Sequence, residues 1–222
     1  MNALSDATDR DIGTKPPCTG LTSNALPEAD GSTTGVSVRY APQADKRWYV
    51  LRVSYGRTDK ATPLLERQKI DYYLPMHRTV KLVNNKKKHV TEPLLTNLIF
   101  AHAGQRQMTL LLSDATRENP LSYYYNHFAT DAYGKNPPLV VDDESMLNFI
   151  RLTSIDDEHI KLVSPQACRY RSGDTVIVTD GKFKGVRGKV ARVSGQQRVV
   201  VELEGVCMVA TAYIPTAFIK NI

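Results

Sequence analysis

The stretch Thr91-Glu92-Pro93-Leu94-Leu95-Thr96-Asn97-Leu98-Ile99-Phe100-Ala101-His102-Ala103 decides how this chain is read. As one strand of about thirteen residues with side chains alternating on a period of two, it is apolar on both faces. Leu95, Ile99, Ala101 and Ala103 point one way, and Leu94, Leu98 and Phe100 point the other. A strand wetted on one side does not carry this pattern. Either the protein's own helices cover both faces, which is the usual reading of such a strand, or one face is kept for a partner.

Working outward, the preceding segment Asn84-Asn85-Lys86-Lys87-Lys88-His89 combines a turn signal with a charge cluster. It reads as a hairpin tip, either a solvated loop or one that meets phosphate. Met76 to Val83 is extended, and Pro75 separates it from a short strand, Ile70 to Leu74. Trp48 to Val53, dense in aromatic and β-branched residues, is the first strand, ended at Gly56. Between them Lys60 to Lys69 is predicted helical, capped by Thr58 or Asp59, with Pro63 in its first turn. Ala61, Leu64, Leu65 and Gln68 share one face, and Lys60 and Arg67 lie on a neighbouring one. Residues 1–45 are rich in Ser, Thr, Gly, Pro and Asp, with no aromatic before Tyr40, and are expected to be disordered.

Downstream, Met108 to Ser113 fits a strand or a helix. Asn119 to Phe128 holds Tyr123-Tyr124-Tyr125, consistent with a half-buried strand or with base stacking. Leu139 to Val141 is extended, and Asp142 or Asp143 caps a helix with Met146, Phe149 and Ile150 turned inward. Asp156-Asp157-Glu158 and Ser164-Pro165 mark a boundary. The last 55 or so residues read as short strands, Thr175 to Thr179, Lys189 to Val193, Arg198 to Leu203, Val206 to Tyr213 and Ala217 to Ile222. Asp180-Gly181, Ser194-Gly195 and Glu204-Gly205 separate them, and five strands in so few residues imply a small barrel. The fold class is therefore α+β, an antiparallel sheet flanked by helices followed by a small β-barrel, divided into a tail (1–45), a first domain (46–163), a linker (164–171) and a barrel (172–222).

Composition narrows the function. The net charge of +6 is segregated: residues 46–103 carry 12 Lys or Arg against 4 Asp or Glu, and residues 168–222 carry 9 against 4, whereas residues 104–167 carry 5 against 9. Two basic units joined by an acidic one suit a polyanionic partner such as nucleic acid. Cys18, Cys168 and Cys207 have no C-x-x-C spacing, so reduced thiols are expected rather than disulfides or zinc. His77, His89, His102, His127 and His159 show no metal-binding spacing, and no P-loop or G-x-G-x-x-G occurs, so neither an enzyme nor a metal or cofactor is expected. No run approaches a membrane span and no secretory leader is evident, which points to the cytoplasm.

Two stretches resemble a known family. Gly173-Asp174-Thr175-Val176 leading to Gly181-Lys182-Phe183-Lys184-Gly185-Val186-Arg187-Gly188-Lys189-Val190 looks like the KOW motif, with Gly181 and Gly185 allowing a tight loop, Phe183 covering the barrel end and Lys184 beside it. Trp48-Tyr49-Val50-Leu51, Leu65-Glu66-Arg67-Gln68, Leu74-Pro75-Met76, Glu92-Pro93-Leu94 and Asn97-Leu98-Ile99-Phe100, in that order, resemble the NusG amino-terminal domain. The resemblance is greatest to RfaH-like antiterminators, and among those to regulators of capsular polysaccharide operons in Bacteroidetes. It implies a monomeric elongation factor riding on RNA polymerase, with Leu95, Leu98 and Phe100 docking onto the clamp helices of the largest subunit and Trp48 and Tyr49 beside or beneath them. Leu95 and Leu98 stand where relatives often place Phe and Tyr. The resemblance further implies a second polymerase contact near Met108-Thr109, and contact with non-template DNA or nascent RNA through Lys60, Arg67 and Gln68; Lys86, Lys87 and Lys88 of the hairpin tip are candidate nucleic-acid contacts by their charge alone, beside the solvated-loop reading. The resemblance also implies that the KOW barrel binds a partner such as ribosomal protein S10 or Rho; Val206 to Tyr213, with Met208 and Tyr213, is either the docking strand or a strand packed in the core. The flanking motifs thus shift the reading of Thr91 to Ala103 toward a Leu98 and Phe100 face left open for polymerase. Arg67 could instead pair with Asp71 at i+4, and a ribosomal or general RNA-binding KOW protein is the alternative function. Six glycines between Gly173 and Gly205 oppose a helical form of the last domain at roughly 1 kcal/mol each.

Overall fold

The computed structural model describes residues 38–83, 85–113 and 119–222. The first domain is built on an antiparallel sheet in the order β2 (Asp71–Tyr73), β5 (Leu98–Ala103), β1 (Arg47–Val53), β6 (Leu121–Tyr123), with β7 (Val140–Val141) also pairing with β1. β1 lies at the centre because Trp48 to Leu51 and Val53 are all buried, an apolar run that needs cover on both faces. Helices α1 (Thr58–Arg67) and α2 (Gln105–Ser113) supply one cover: Ala61, Leu65, Met108 and Leu111 cluster with Tyr49, Leu51, Ile99, Ala101 and Ala103. Helix α3 (Asp143–Thr153) supplies the other, clustering with Trp48, Val50, Tyr73 and Phe100.

Several expectations are corrected here. Thr91 to Ala103 is not one strand: β4 (Lys86–Pro93) ends at the proline, whose missing N–H cannot extend a ladder, residues 94–97 turn, and β5 begins at Leu98. β4 pairs with β3 (Met76–Val83) in a ribbon separate from the main sheet, in register from Met76↔Pro93 to Val83↔Lys86. Helix α1 starts at Thr58, so Thr58 and Asp59 lie within its first turn, no side chain caps it, and Pro63 is interior. Met108 to Ser113 is helical. Of the tail expected to be disordered, residues 1–37 lie outside the described residues, but Val38–Tyr40 forms a 3-10 turn that buries Tyr40 against Trp48 and Tyr73. A short aromatic-anchored turn of this kind has no periodicity for a sequence reading to detect. Asp142 caps α3 as expected, its carboxylate accepting from the Ser145 N–H at 2.8 Å.

The carboxy-terminal domain is a six-stranded antiparallel sheet in the order β13 (Ile219–Asn221), β9 (Arg169–Val178), β10 (Arg187–Val193), β11 (Gln196–Leu203), β12 (Cys207–Ala210), β8 (Lys161–Val163). The sixth strand, β8, comes from residues that the sequence reading placed in the first domain. The buried side chains of Val176, Val178, Val199, Val201, Phe183 and Val186 belong to the same cluster as Phe100 and Phe149, so one apolar core runs from the first sheet through α3 into the second. Cys168 and Cys207 are free thiols, and burial pushes the Cys207 thiol up to about 12.

Candidate functional site

The residues singled out by sequence fall into four places. Trp48, Phe100 and His102 project from the α3 side of the first sheet, while Tyr49, one residue on from Trp48, projects from the opposite side and donates from its hydroxyl to Gln105 Oε1 at 3.0 Å. Tyr49 is therefore separated from Phe100 by the sheet. Phe100 is not open as expected: it is 0% exposed, with the Phe149 ring of α3 at 5.4 Å between centroids. The physical reason lies in α3, whose buried Met146, Phe149, Ile150 and Leu152 form a wider apolar face than one sheet needs. Leu98, at the start of β5, keeps part of its surface. Leu95, in the turn before it, lines a cavity of about 430 Å³ with Leu203, Val206, Cys207 and Met208 of the carboxy-terminal domain.

Lys60, Arg67 and Gln68 are exposed on α1 and its carboxy-terminal cap. The i+4 pair between Arg67 and Asp71 does not form, because the Asp71 carboxylate accepts from Arg39 at 3.0 Å and Lys46 at 3.2 Å. Sequence reasoning missed this pair of cations, since Arg39 sits in the stretch taken for a structureless tail. Thr109 is exposed on α2 and donates from its hydroxyl to the Gln105 carbonyl. Lys86, Lys87 and Lys88 are exposed along β4, and Asn84 lies outside the described residues. Of the tyrosine trio, Tyr123 and Tyr124 are half-buried and only Tyr125 is largely exposed, with Tyr123 lying 6.0 Å from Tyr49. A half-buried strand accounts for them.

In the KOW-like loop Gly181 and Gly185 adopt φ of 78° and 86°, conformations that favour glycine, and Phe183 is buried in the shared core while Lys184 is exposed. The loop faces α3. Arg151 donates to the Gly185 carbonyl at 3.0 Å. Asn148 acts as a substitute peptide for the start of β10, its Nδ2 donating to the Arg187 carbonyl at 2.7 Å and its Oδ1 accepting from the Arg187 N–H at 2.9 Å. The Arg187 guanidinium pairs with Glu144. Across the linker, the buried Arg198 donates to the carbonyls of His159 at 2.9 Å and Thr211 at 2.7 Å. Of the strand expected to dock a partner, Met208 is buried in β12, which has neighbours on both sides, whereas Tyr213 beyond it is exposed.

His102 is buried and stacked on Trp48 at 4.6 Å, and neither of its ring nitrogens has a hydrogen-bond partner among the described residues. Burial holds its pKa below the ordinary value, and Lys46 adds to this, while Asp143, Asp71 and Asp45 pull the other way. Among the described residues no group of three or more His, Cys, Asp or Glu could hold a metal ion, and no helix is long and apolar enough to cross a membrane.

Comparison with known proteins follows the same division. Residues 46–119 match the family model described as transcription termination factor nusG, and residues 172–202 match the KOW motif. The large ribosomal subunit protein uL24 of Nitrosococcus oceani is 53% identical over 34 residues, 15% of this chain, which spans about a third (32%) of that relative. The crystal structure of the MjSpt4:Spt5 complex in conformation A aligns with 79% of this chain and 97% of that one at 15% identity, with a TM-score of 0.23. The two matches fall in order on the two domains just described, so the first domain is similar to the NusG family over residues 46–119 and the second carries a KOW motif over residues 172–202.

Proposed function

We propose that this protein is a transcription elongation factor that docks on RNA polymerase and reduces pausing and termination, acting on long operons of the polysaccharide type. The observation that carries the reading is that the NusG match over residues 46–119 falls on the sheet bearing Leu98, half-buried at the start of β5, with Leu95 in the turn just before it, both apart from the cluster that α1 and α2 cover. In this proposal the clamp helices of the largest polymerase subunit pack on Leu95 and Leu98, with Phe100 and Trp48 supporting them from beneath and Tyr49 bracing the other face of the sheet. Burial of such aliphatic surface contributes at about 25 cal/mol per Å². Because Leu95 faces the KOW domain, docking requires that domain to move away from it. Thr109 makes the second polymerase contact. The exposed Lys60, Arg67 and Gln68 meet non-template DNA or nascent RNA, Arg and Gln being able to read base edges as well as phosphate. The KOW domain, once released, takes ribosomal protein S10 or Rho with Tyr213 in the contact, and the factor works as a cytoplasmic monomer.

The experiment is transcription in vitro on a template with a defined pause and terminator, with and without the protein, followed by mapping of its occupancy along the genome. Shorter pauses, more read-through and occupancy confined to one long operon are expected. Unchanged elongation contradicts the function, and uniform occupancy contradicts the operon preference. The likeness to uL24 favours a second reading, a general RNA-binding KOW protein. That reading leaves the first domain without a role, and it predicts ribosome co-sedimentation in place of an effect on elongation.

A further inference from the structure

We propose that the β3–β4 ribbon is an arm that enters the major groove of double-stranded DNA. Among the described residues the ribbon pairs with no other strand, and its eight residues a side extend over about 26 Å. Directly paired residues share a face, so Lys81 and Lys88 stand opposite each other with Lys86 on one face, while Lys87 lies opposite Leu82 and His89 opposite Val80 on the other. Cations thus project from both faces of one ribbon, as contact with the two phosphate walls of a single groove requires. Lys81 pairs with Glu92, but Lys86, Lys87 and Lys88 have no carboxylate partner among the described residues. The like-charged pair Lys81 and Lys88 costs the free ribbon stability, which phosphate between them would return. Between the lysines Leu82 is 73% and Val80 45% exposed, placing apolar side chains where thymine methyl groups lie in the groove.

The same features discriminate among polyanions. A two-stranded ribbon fits the major groove of B-form DNA, about 12 Å wide, whereas the A-form groove of duplex RNA is too deep and narrow. Single strands are held largely by aromatic stacking, and residues 76–93 contain no Phe, Trp or Tyr. The inference rests on the proposed function only for where the duplex is met, the DNA flanking a transcribing polymerase.

The test leaves polymerase out, so its failure and that of the docking reading are separable. Binding of the full chain to a fluorescent DNA duplex of about 24 base pairs is compared with an equal single strand and an RNA duplex across a range of salt. The comparison is repeated with a variant combining Lys81→Gln, Lys86→Gln, Lys87→Gln and Lys88→Gln, all exposed positions, whose fold is checked by thermal unfolding. The wild type is expected to prefer the DNA duplex, and the variant to lose about tenfold or more in affinity and about 3 to 4 in the slope of log affinity against log salt. Methylation of guanine N7, a major-groove position, is expected to weaken wild-type binding. A wild type that does not bind the DNA duplex, or binds the single strand or RNA duplex equally well, overturns the proposal. So does a variant that binds like wild type, or indifference to N7 methylation.

Discussion

His102 and Phe100 lie two residues apart on one face of β5, and each is buried in a way that makes a separate prediction. Burial lowers the pKa of the His102 ring in the folded chain and so disfavours its protonated form, whereas in the unfolded chain it takes up a proton at about pH 6.5. The unfolded state therefore binds more protons as pH falls through that value, and stability falls with it. Between about pH 7.5 and 5.5 the thermal midpoint of the wild type should drop further than that of His102→Phe, which keeps the stack on Trp48 and cannot titrate. Equal drops would show that His102 is not the group responsible. Phe100, with Phe149 over it, has no room for a smaller substitute to settle: Phe100→Ala should cost about 3–5 kcal/mol in urea unfolding. A docking variant at Phe100 would for that reason report on folding, and Leu98, with part of its surface free, is the residue on which docking can be tested.

At the scale of elements, α3 joins the two domains. Its start was legible: Asp142 before Met146, Phe149 and Ile150 is a cap followed by an apolar face, and Asp142→Ala should cost about 1 kcal/mol in thermal or urea unfolding. What α3 covers was not legible, because periodicity shows that a face is apolar but not which surface it meets. Thr91 to Ala103 carries the same lesson. Its apolar run allows either cover on both faces or a face kept for a partner, and the flanking motifs shift the reading to an open Leu98 and Phe100 face; the structure instead buries Phe100, and Pro93 and the turn after it divide the run between a ribbon and β5. The KOW loop was read with its roles because Gly181 and Gly185 need positive φ, a local requirement. Asn148, which no motif marks, holds the edge of β10 through two hydrogen bonds, visible only once the domains are seen together.

For the whole molecule, the shared core means that the proposed docking residues are partly occupied by the protein itself. Leu95 faces Leu203, Val206, Cys207 and Met208, so under the proposed docking polymerase would compete with the KOW domain for one surface. Asn148→Ala removes two hydrogen bonds from the closed arrangement, at about 1 kcal/mol each. The radius of gyration in solution scattering should rise, and apparent affinity for polymerase should increase by up to about tenfold as the open fraction grows. An unchanged radius would mean that the apolar core alone holds the domains together. The central claim, that Leu98 at the start of β5 belongs to the polymerase contact, is tested most directly by measuring binding of the full chain to core RNA polymerase for wild type and Leu98→Asp, with thermal unfolding confirming that both are folded. The wild type should bind and Leu98→Asp should lose about tenfold or more in affinity, since it places a charge in an apolar contact. Equal binding by a folded Leu98→Asp, or no binding by the wild type, would contradict the claim.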